Sequence, residues 1–254
     1  LTANFSFGYD HYDYRNDESV EEAAAARLSF AINQWFGKVD FSYKLDNNHT
    51  LNFGLMSQFY NINSGTYEPL YESSLVKWDQ LQKDKALESA IYIGDQWEIT
   101  PKLSVNAGIR YSMFNLLGPR TYYTYQDGML PSSTTVVDSV SVGGGKVVKT
   151  YQGPEFRLSA RYAFNDDFSV KAGFNTMRQY IHKVSNTTIM SPTDTWKLSD
   201  TNIKPQNGWQ LAAGAYYNTP GQVLELSVEG YYKKLNDYLD YRSSARLIMN
   251  HHLE

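Results

Sequence analysis

Glu155-Phe156-Arg157-Leu158-Ser159-Ala160-Arg161-Tyr162-Ala163-Phe164, followed by Asn165-Asp166-Asp167 and then by Phe168-Ser169-Val170-Lys171-Ala172-Gly173-Phe174-Asn175, is the stretch on which the fold turns. Before the turn, Phe156, Leu158, Ala160, Tyr162 and Phe164 share one parity, and Glu155, Arg157, Ser159 and Arg161 share the other. After it, Phe168, Val170, Ala172 and Phe174 alternate with Ser169, Lys171, Gly173 and Asn175. Side chains in a strand alternate between faces, so each run presents one continuous apolar face and one polar, charged face. A short Asn/Asp turn between two such runs reads as a hairpin.

The unit recurs along the chain. Ala3, Phe5, Phe7 and Tyr9 alternate within Leu1 to Tyr14, and an acidic, alanine-rich insert at Asp17 to Ala26 suits a short helix. From Leu28 to Leu45 the apolar parity switches from Leu28, Phe30 and Ile32 to Trp35, Val39, Phe41 and Tyr43, which predicts a bulge or break near Asn33 to Trp35. After Asp46-Asn47-Asn48-His49 the chain returns with Leu51, Phe53, Leu55 and Phe59. Ala86 to Ile99 and Leu103 to Asn115 flank Thr100-Pro101-Lys102, with Asp95 intruding on the parity of Ile91, Ile93 and Trp97. A last hairpin folds at Asn218-Thr219-Pro220-Gly221, and there Leu224, Leu226, Val228 and Tyr232 oppose Glu225, Ser227 and Glu229. These segments make roughly nine strands of the length that a tilted bilayer crossing requires. Between hairpins lie long connections at 61–85, 116–152 and 183–207, the first suited to a helix around Leu75 to Leu81 and the second carrying Gly143-Gly144-Gly145.

Short turns at one end, long loops at the other and aromatic ends on the apolar runs form the pattern of an outer-membrane β-barrel. The expected fold class is therefore all-β: an antiparallel meander over 1–254 forming part of a transmembrane barrel, with its short turns at one end and its long loops outside the cell. Trp97, Phe164, Phe168, Tyr180, Trp209 and Tyr217 are expected on the apolar face as two belts at the membrane interfaces.

Composition narrows the alternatives. The 21 Tyr, 12 Phe and 5 Trp suit strands and interface girdles, although a soluble secreted glycan-binding β-sandwich shares that excess. A mean hydropathy of -0.50 and the lack of any run of about 18 apolar residues exclude a helical span but not a barrel, whose strands turn half their residues to a polar lumen. The net charge of -4 and a pI near 5.8 argue against nucleic acid as a partner. Without cysteine there is neither a disulfide framework nor a thiolate metal site. No signal peptide is visible at Leu1-Thr2-Ala3-Asn4-Phe5, and the chain ends within apparent strand sequence, so a piece of something longer is expected.

The inward parity carries Arg110, Glu155, Arg157, Arg161, Lys171, Glu225 and Glu229. A wetted ladder of opposite cross-strand charges, each pair contributing about 0.2 to 1 kcal/mol, is the favoured reading over direct ligand contact. Glu225 and Glu229 stand about 13 Å apart along one strand, beyond the roughly 5 to 9.5 Å of a glycosidase carboxyl pair. His11, His49, His182, His251 and His252 follow no metal-ligand spacing and read as surface or turn histidines. No G-x-S-x-G elbow occurs, and Gly143-Gly144-Gly145-Lys146 lacks the spacing of a phosphate loop. Catalysis, a metal and a cofactor are accordingly not expected. Tyr122, Tyr123 and Tyr125 in one long loop and Trp196 in another suit stacking on a sugar, a peptide or an aromatic chelator, with loop packing as the alternative.

Gln179-Tyr180-Ile181-His182-Lys183-Val184-Ser185-Asn186-Thr187, then Ser191-Pro192-Thr193-Asp194-Thr195-Trp196-Lys197-Leu198-Ser199-Asp200 and Ile203-Lys204-Pro205-Gln206, resemble the TonB-dependent outer-membrane receptors of the Bacteroidetes group. Glu88-Ser89-Ala90-Ile91-Tyr92-Ile93, Leu103 to Tyr111, Gly153-Pro154-Glu155-Phe156-Arg157 and Tyr231-Tyr232-Lys233 are similar to the middle of the same barrels. The resemblance implies a 22-strand barrel with an N-terminal plug that takes up a scarce nutrient: an iron chelate, cobalamin, an oligosaccharide or a peptide. It also implies bacterial outer-membrane lipid, the TonB energy-coupling complex and a surface lipoprotein as partners. This chain shows no plug or coupling box and too few strands to close such a barrel, so the middle-to-late part of a receptor is expected. A passive porin or structural barrel shares every parity argument and is the alternative within the same fold.

Overall fold

The alternating runs form the strands they predict, and the short turns are closed by side chains beside them. Asp46 accepts the backbone N–H groups of Asn48 (2.7 Å) and His49 (2.8 Å). Asn165 accepts those of Asp167 (3.0 Å) and Phe168 (2.7 Å), and the Thr100 hydroxyl accepts those of Lys102 and Leu103. Short polar side chains that satisfy turn amides fix the chain reversal locally. The computed structural model describes residues 1–185, 194–219, 221, 223–240 and 248–252. Asn186, Thr187, Ser191, Pro192 and Thr193 of the resemblance, and Pro220 of the last turn, lie outside the described residues.

In chain order the strands are β1 (Thr2–Glu18), β2 (Ala26–Lys44), β3 (His49–Pro69), β4 (Asp79–Gln80), β5 (Asp84–Thr100), β6 (Leu103–Leu117), β7 (Arg120–Tyr125), β8 (Val136–Val142), β9 (Val147–Ala163), β10 (Phe168–Gln179), β11 (Ile181–Val184), β12 (Thr195–Leu198), β13 (Gln206–Asn218) and β14 (Glu225–Asn236). One antiparallel sheet runs β1-β2-β3-β5-β6-β9-β10-β13-β14, with β4 on β3; β7-β8 and β11-β12 are separate two-stranded ribbons. Neighbours in the main sheet are sequential hairpins, so the Asn47, Pro101 and Asp166 turns and the β13–β14 connection share one end. The long connections share the other.

The register carries the apolar parity across the sheet without inversion. Phe5, Val39, Leu55, Ile91, Tyr111 and Pro154 stand successively opposite one another, as do Leu158, Phe174, Leu211 and Tyr232. This face is bare: Phe7 is 76% exposed and Ile91 66%. A sandwich would have buried it against a second sheet. None covers it among the described residues. Asp95 does lie on this face, where its carboxylate meets His49 Nδ1 at 2.7 Å and His49 stacks on Trp97.

The buried cluster sits instead at the loop end of the polar face. Tyr60, Ile62, Ala86, Phe114, Leu116 and Tyr180 pack there with Leu198 of the β11-β12 ribbon. This explains the parity switch in β2. Its pairing with β1 is continuous, so there is no break at Asn33 to Trp35; the irregularity lies between Ser29 and Ala31, where β3 carries the extra residue. On the polar parity Ile32 packs against the buried cluster and Phe30 is buried beside Tyr12 and Tyr14, whereas Trp35 faces the bare side. Tyr180 is corrected for the same reason: it is 2% exposed and stacks on Phe114 at 4.7 Å, not in a belt. Trp97, Phe164, Phe168 and Tyr217 do gather at the turn end of the apolar face, and Trp209 contacts Phe174 and Tyr232 nearer the loops. The segment at Leu75 to Leu81 is not helical but extended into β4; a 3-10 turn at Glu22–Ala24 is the only helical piece of the alanine-rich insert.

Candidate functional site

Four segments far apart in sequence converge at the loop end: the entry to β5, the β7-β8 ribbon inside 116–152, the β12 segment with its following turn, and residues 250–252. Their meeting point is ionic. The Arg120 guanidinium spans two aspartates, with Nη1 on Asp84 and Nη2 on Asp200 Oδ2 at 2.8 Å. Lys197 Nζ adds a second cation to Asp84 at 3.3 Å. Asp84 is 1% exposed and Asp200 5%. Charges this deeply withdrawn from water persist only when paired and hydrogen-bonded. Asp200 Oδ1 meets that condition by accepting the N–H groups of Asn202 (2.8 Å) and Ile203 (2.9 Å). Burial disfavours the charged guanidinium, but Asp84 and Asp200 together outweigh it and hold the Arg120 pKa above its already high usual value, so it stays charged.

Beside this quartet lies a cavity of about 50 Å³ whose lining includes Arg120, Tyr122, Tyr123, Tyr125, Thr201 and His252. The three loop tyrosines expected to meet a ligand are thus brought together. Tyr123 and Tyr125 hold the His252 ring at 5.3 and 5.8 Å, and Tyr125 Oη lies 2.8 Å from His252 Nδ1. Trp196 does not join them; it packs against the buried cluster, and its carbonyl accepts from Ser64 at 2.9 Å.

The seven charged residues of the inward parity share the polar face, but only part of the expected ladder forms. Arg110 donates to Glu155 at 2.7 Å and to Glu88 at 3.0 Å, while the Tyr60 hydroxyl donates to Glu88. Lys171 instead stands directly opposite Arg161, and neither has an ion pair among the described residues, nor does Arg157. Water over this open face screens the like charges. Glu229 accepts from Tyr216 at 2.7 Å, and Glu225 is exposed. Glu88 was detectable, since it shares the parity of Ala90 and Tyr92. Asp84 continues that parity at the start of β5, whereas Arg120, Lys197 and Asp200 follow no periodic signal.

His182 also departs from expectation. It is 2% exposed and hydrogen-bonded to Ser199 Oγ at 2.9 Å, so it is a core residue. Ser199 is fully buried, which places this Ser–His pair out of reach of any substrate. Burial lowers the His182 pKa, with nearby Asp200 opposing more weakly. A depressed folded-state value means that the unfolded chain binds the proton first. The contribution of the neutral ring is therefore fully present above the unfolded value of about 6.5 and is lost as pH falls through the folded value. The protection factors of the Ile181–Val184 amides, taken relative to their intrinsic exchange rates at each pH, should fall on acidification below pH 6.5, and His182→Gln should flatten that dependence. Equal pH dependence in the variant would locate the titration elsewhere.

A sequence-family model described as TonB dependent receptor-like, beta-barrel matches residues 1–248. The chain belongs to this family. Among solved structures, this TonB-dependent receptor barrel is similar to the Copper transporter OprC (TM-score 0.63, 13% identity, 92% of this chain and 36% of that one). It is also similar to the ferric yersiniabactin uptake receptor FyuA from Yersinia pestis (0.54, 13%, 92% and 33%). A third is the Serratia marcescens hemophore receptor HasR, solved with its hemophore HasA and heme (0.51, 11%, 93% and 40%). At these identities the likeness is one of fold. The receptor chain spans about 36% of the first of these proteins. A search of curated proteins gives no match. Family membership places this barrel in the bacterial outer membrane. The apolar face is then the lipid face.

Proposed function

We propose that this chain is the wall of an energy-coupled receptor whose long loops recognise a scarce nutrient for TonB-dependent uptake. The observation that carries the reading is the asymmetry of the two ends. One end is closed by bare turns, whereas at the other three separate segments are welded by a buried ionic quartet beside a tyrosine-lined cavity. Loops on a rigid scaffold are where binding is built. The loop motif at Gln179 to Gln206 supports a receptor of the Bacteroidetes type, and with it a surface lipoprotein as partner. Iron chelates, cobalamin, oligosaccharides and peptides are the nutrient classes considered, and Arg157, Arg161 and Lys171 would face the lumen.

Alanine at Tyr122, Tyr123, Tyr125 and Trp196 together should weaken nutrient binding by the complete receptor while leaving barrel assembly intact. Because Trp196 supports the buried cluster, the triple tyrosine variant is the cleaner test, with a loss of about tenfold or more expected. Unchanged affinity in that variant would remove the loop tyrosines from recognition. Uptake in cells should cease when the proton gradient is collapsed; uptake that continued would return the passive porin.

A further inference from the structure

The β7-β8 ribbon stands apart from the main sheet, and its two long edges differ. On the β7 side a glutamine takes the place of a neighbouring strand: the Thr121 N–H donates to Gln82 Oε1 at 2.8 Å, and the Thr121 carbonyl accepts from Gln82 Nε2 at 3.0 Å. On the β8 side no strand pairs among the described residues. In an antiparallel ladder two residues directly opposite either exchange both backbone bonds or turn both groups away. Ser141 stands opposite Thr121, so its N–H and carbonyl point out from the open edge. Ser139 does the same opposite Tyr123, whose carbonyl accepts from Asn202 Nδ2 at 3.4 Å, and its N–H donates to Asp138 Oδ1 at 2.8 Å. We propose that this edge takes an extended, basic segment of a partner protein as an added strand.

Edges that stay unpaired in native proteins carry features that turn a further strand away, chiefly proline, lysine and bulges. The neighbouring edge has them. β9 parts from β10 beyond the Arg157 and Asn175 pair, and the stretch left open carries Lys149, Gly153 and Pro154. β8 reads Val136-Val137-Asp138-Ser139-Val140-Ser141-Val142, with four valines and no proline, glycine or cation. Every residue from Val137 to Ser141 is exposed. A β-branched strand of this kind is ready for pairing, and main-chain bonds supply the affinity when another chain adds to it.

Charge defines the partner. From Thr121 to Gly145 the ribbon carries two ionised side chains, Asp127 and Asp138, both carboxylates and neither in an ion pair among the described residues. A cation opposite Asp138 completes the added strand. A second copy of this chain is a poor occupant, because it sets one acidic ribbon against another. A nutrient is a poor occupant too: the tyrosine-lined cavity draws Arg120, Thr121, Tyr122, Tyr123 and Tyr125 from β7 and no residue from β8. The open edge is thus separate from the proposed recognition site, and the inference goes beyond the uptake reading.

The test is fluorescence anisotropy of the complete purified receptor with labelled, capped heptapeptides: Thr-Val-Lys-Val-Lys-Val-Thr, its counterpart Thr-Val-Glu-Val-Glu-Val-Thr, and the interrupted Thr-Val-Lys-Pro-Lys-Val-Thr. The first should bind with saturation, and the other two should bind about tenfold more weakly or worse. At saturation with the first, exchange of the Ser141 amide should slow about tenfold or more. Ser141→Pro removes the outward N–H and spares the ladder to β7, since proline is tolerated at an edge; it should weaken the lysine peptide about tenfold or more. Protease resistance at 118–146 should stay at the parent level in that variant. Ser141→Val keeps the N–H and should bind as the parent does, whereas Asp138→Asn should abolish the preference for lysine over glutamate. The proposal is overturned if the lysine peptide does not saturate, if the glutamate peptide binds as well, or if the Ser141 amide exchanges unchanged at saturation. Equal binding by Ser141→Pro and the parent overturns it as well. Cells carrying the receptor should leave the peptide outside; uptake driven by the proton gradient would make it cargo and overturn its assignment to a partner.

Discussion

Ala172→Arg destabilises the complete barrel by about 2 to 4 kcal/mol in a folding titration into lipid vesicles, whereas Lys171→Glu, one residue away, costs almost nothing. Ala172 faces the bare side between Ala160 and Ala213 on neighbouring strands. It stands midway along β10 between Phe168 at the turn and Thr176, which is opposite Trp209. Those eight residues, at about 3.3 Å each on a strand tilted about 45°, rise ~19 Å, within an apolar band of about 25 Å. A guanidinium at 172 therefore sits near the midplane. Lys171 is on the polar face opposite Arg161, so glutamate there replaces a like-charge contact with an opposite one, a change of about 0.2 to 1 kcal/mol in the favourable direction. If Lys171→Glu proved the more damaging, the whole register from β9 to β13 would have to be turned over.

The second large effect falls on the loops and spares the sheet. Arg120→Met strips Asp84 and Asp200 of their common partner while leaving both carboxylates buried, and breaking such a pair from one side costs about 3 to 5 kcal/mol. Lys197 still reaches Asp84, but Asp200 keeps only backbone amides. Protease cutting and amide exchange should rise together at 118–146 and 195–203, with the membrane strands unchanged. Arg120→Lys should recover little, because a single ammonium cannot bridge two carboxylates as the planar fork does. Protection that stayed at its original level in Arg120→Met would show that the quartet does not hold the loop layer together.

Both variants separate what is local in this chain from what is not. Strand direction, turn positions and the face of nearly every spanning residue were legible in the alternation, because successive Cβ atoms alternate by geometry and short Asn, Asp and Thr turns are satisfied by their own side chains. The exceptions cluster at the loop end. Ile32 and Tyr180 are apolar or aromatic on the polar side because they pack with Leu198 of the β11-β12 ribbon in the buried cluster, and Phe30 because it packs on Tyr12 and Tyr14; the alternation of one strand carries no information about what lies over it. His182 reads as a surface residue for the same reason.

The candidate site divides along that line. Tyr122, Tyr123 and Tyr125 stand out as a dense run of rings in a long loop, and the structure brings all three to one cavity. Arg120, Asp84 and Asp200 are ordinary charges in sequence, and 36 and 80 residues separate the first from the other two. Nothing periodic connects them, since they meet only after the hairpins have brought three loops to one end. By itself, then, the sequence determined the sheet, its register and its two ends, all set by interactions within a strand or across one turn. The tertiary structure alone decided which loop residues meet, because a buried charge is stable only where its distant partners have already been placed around it.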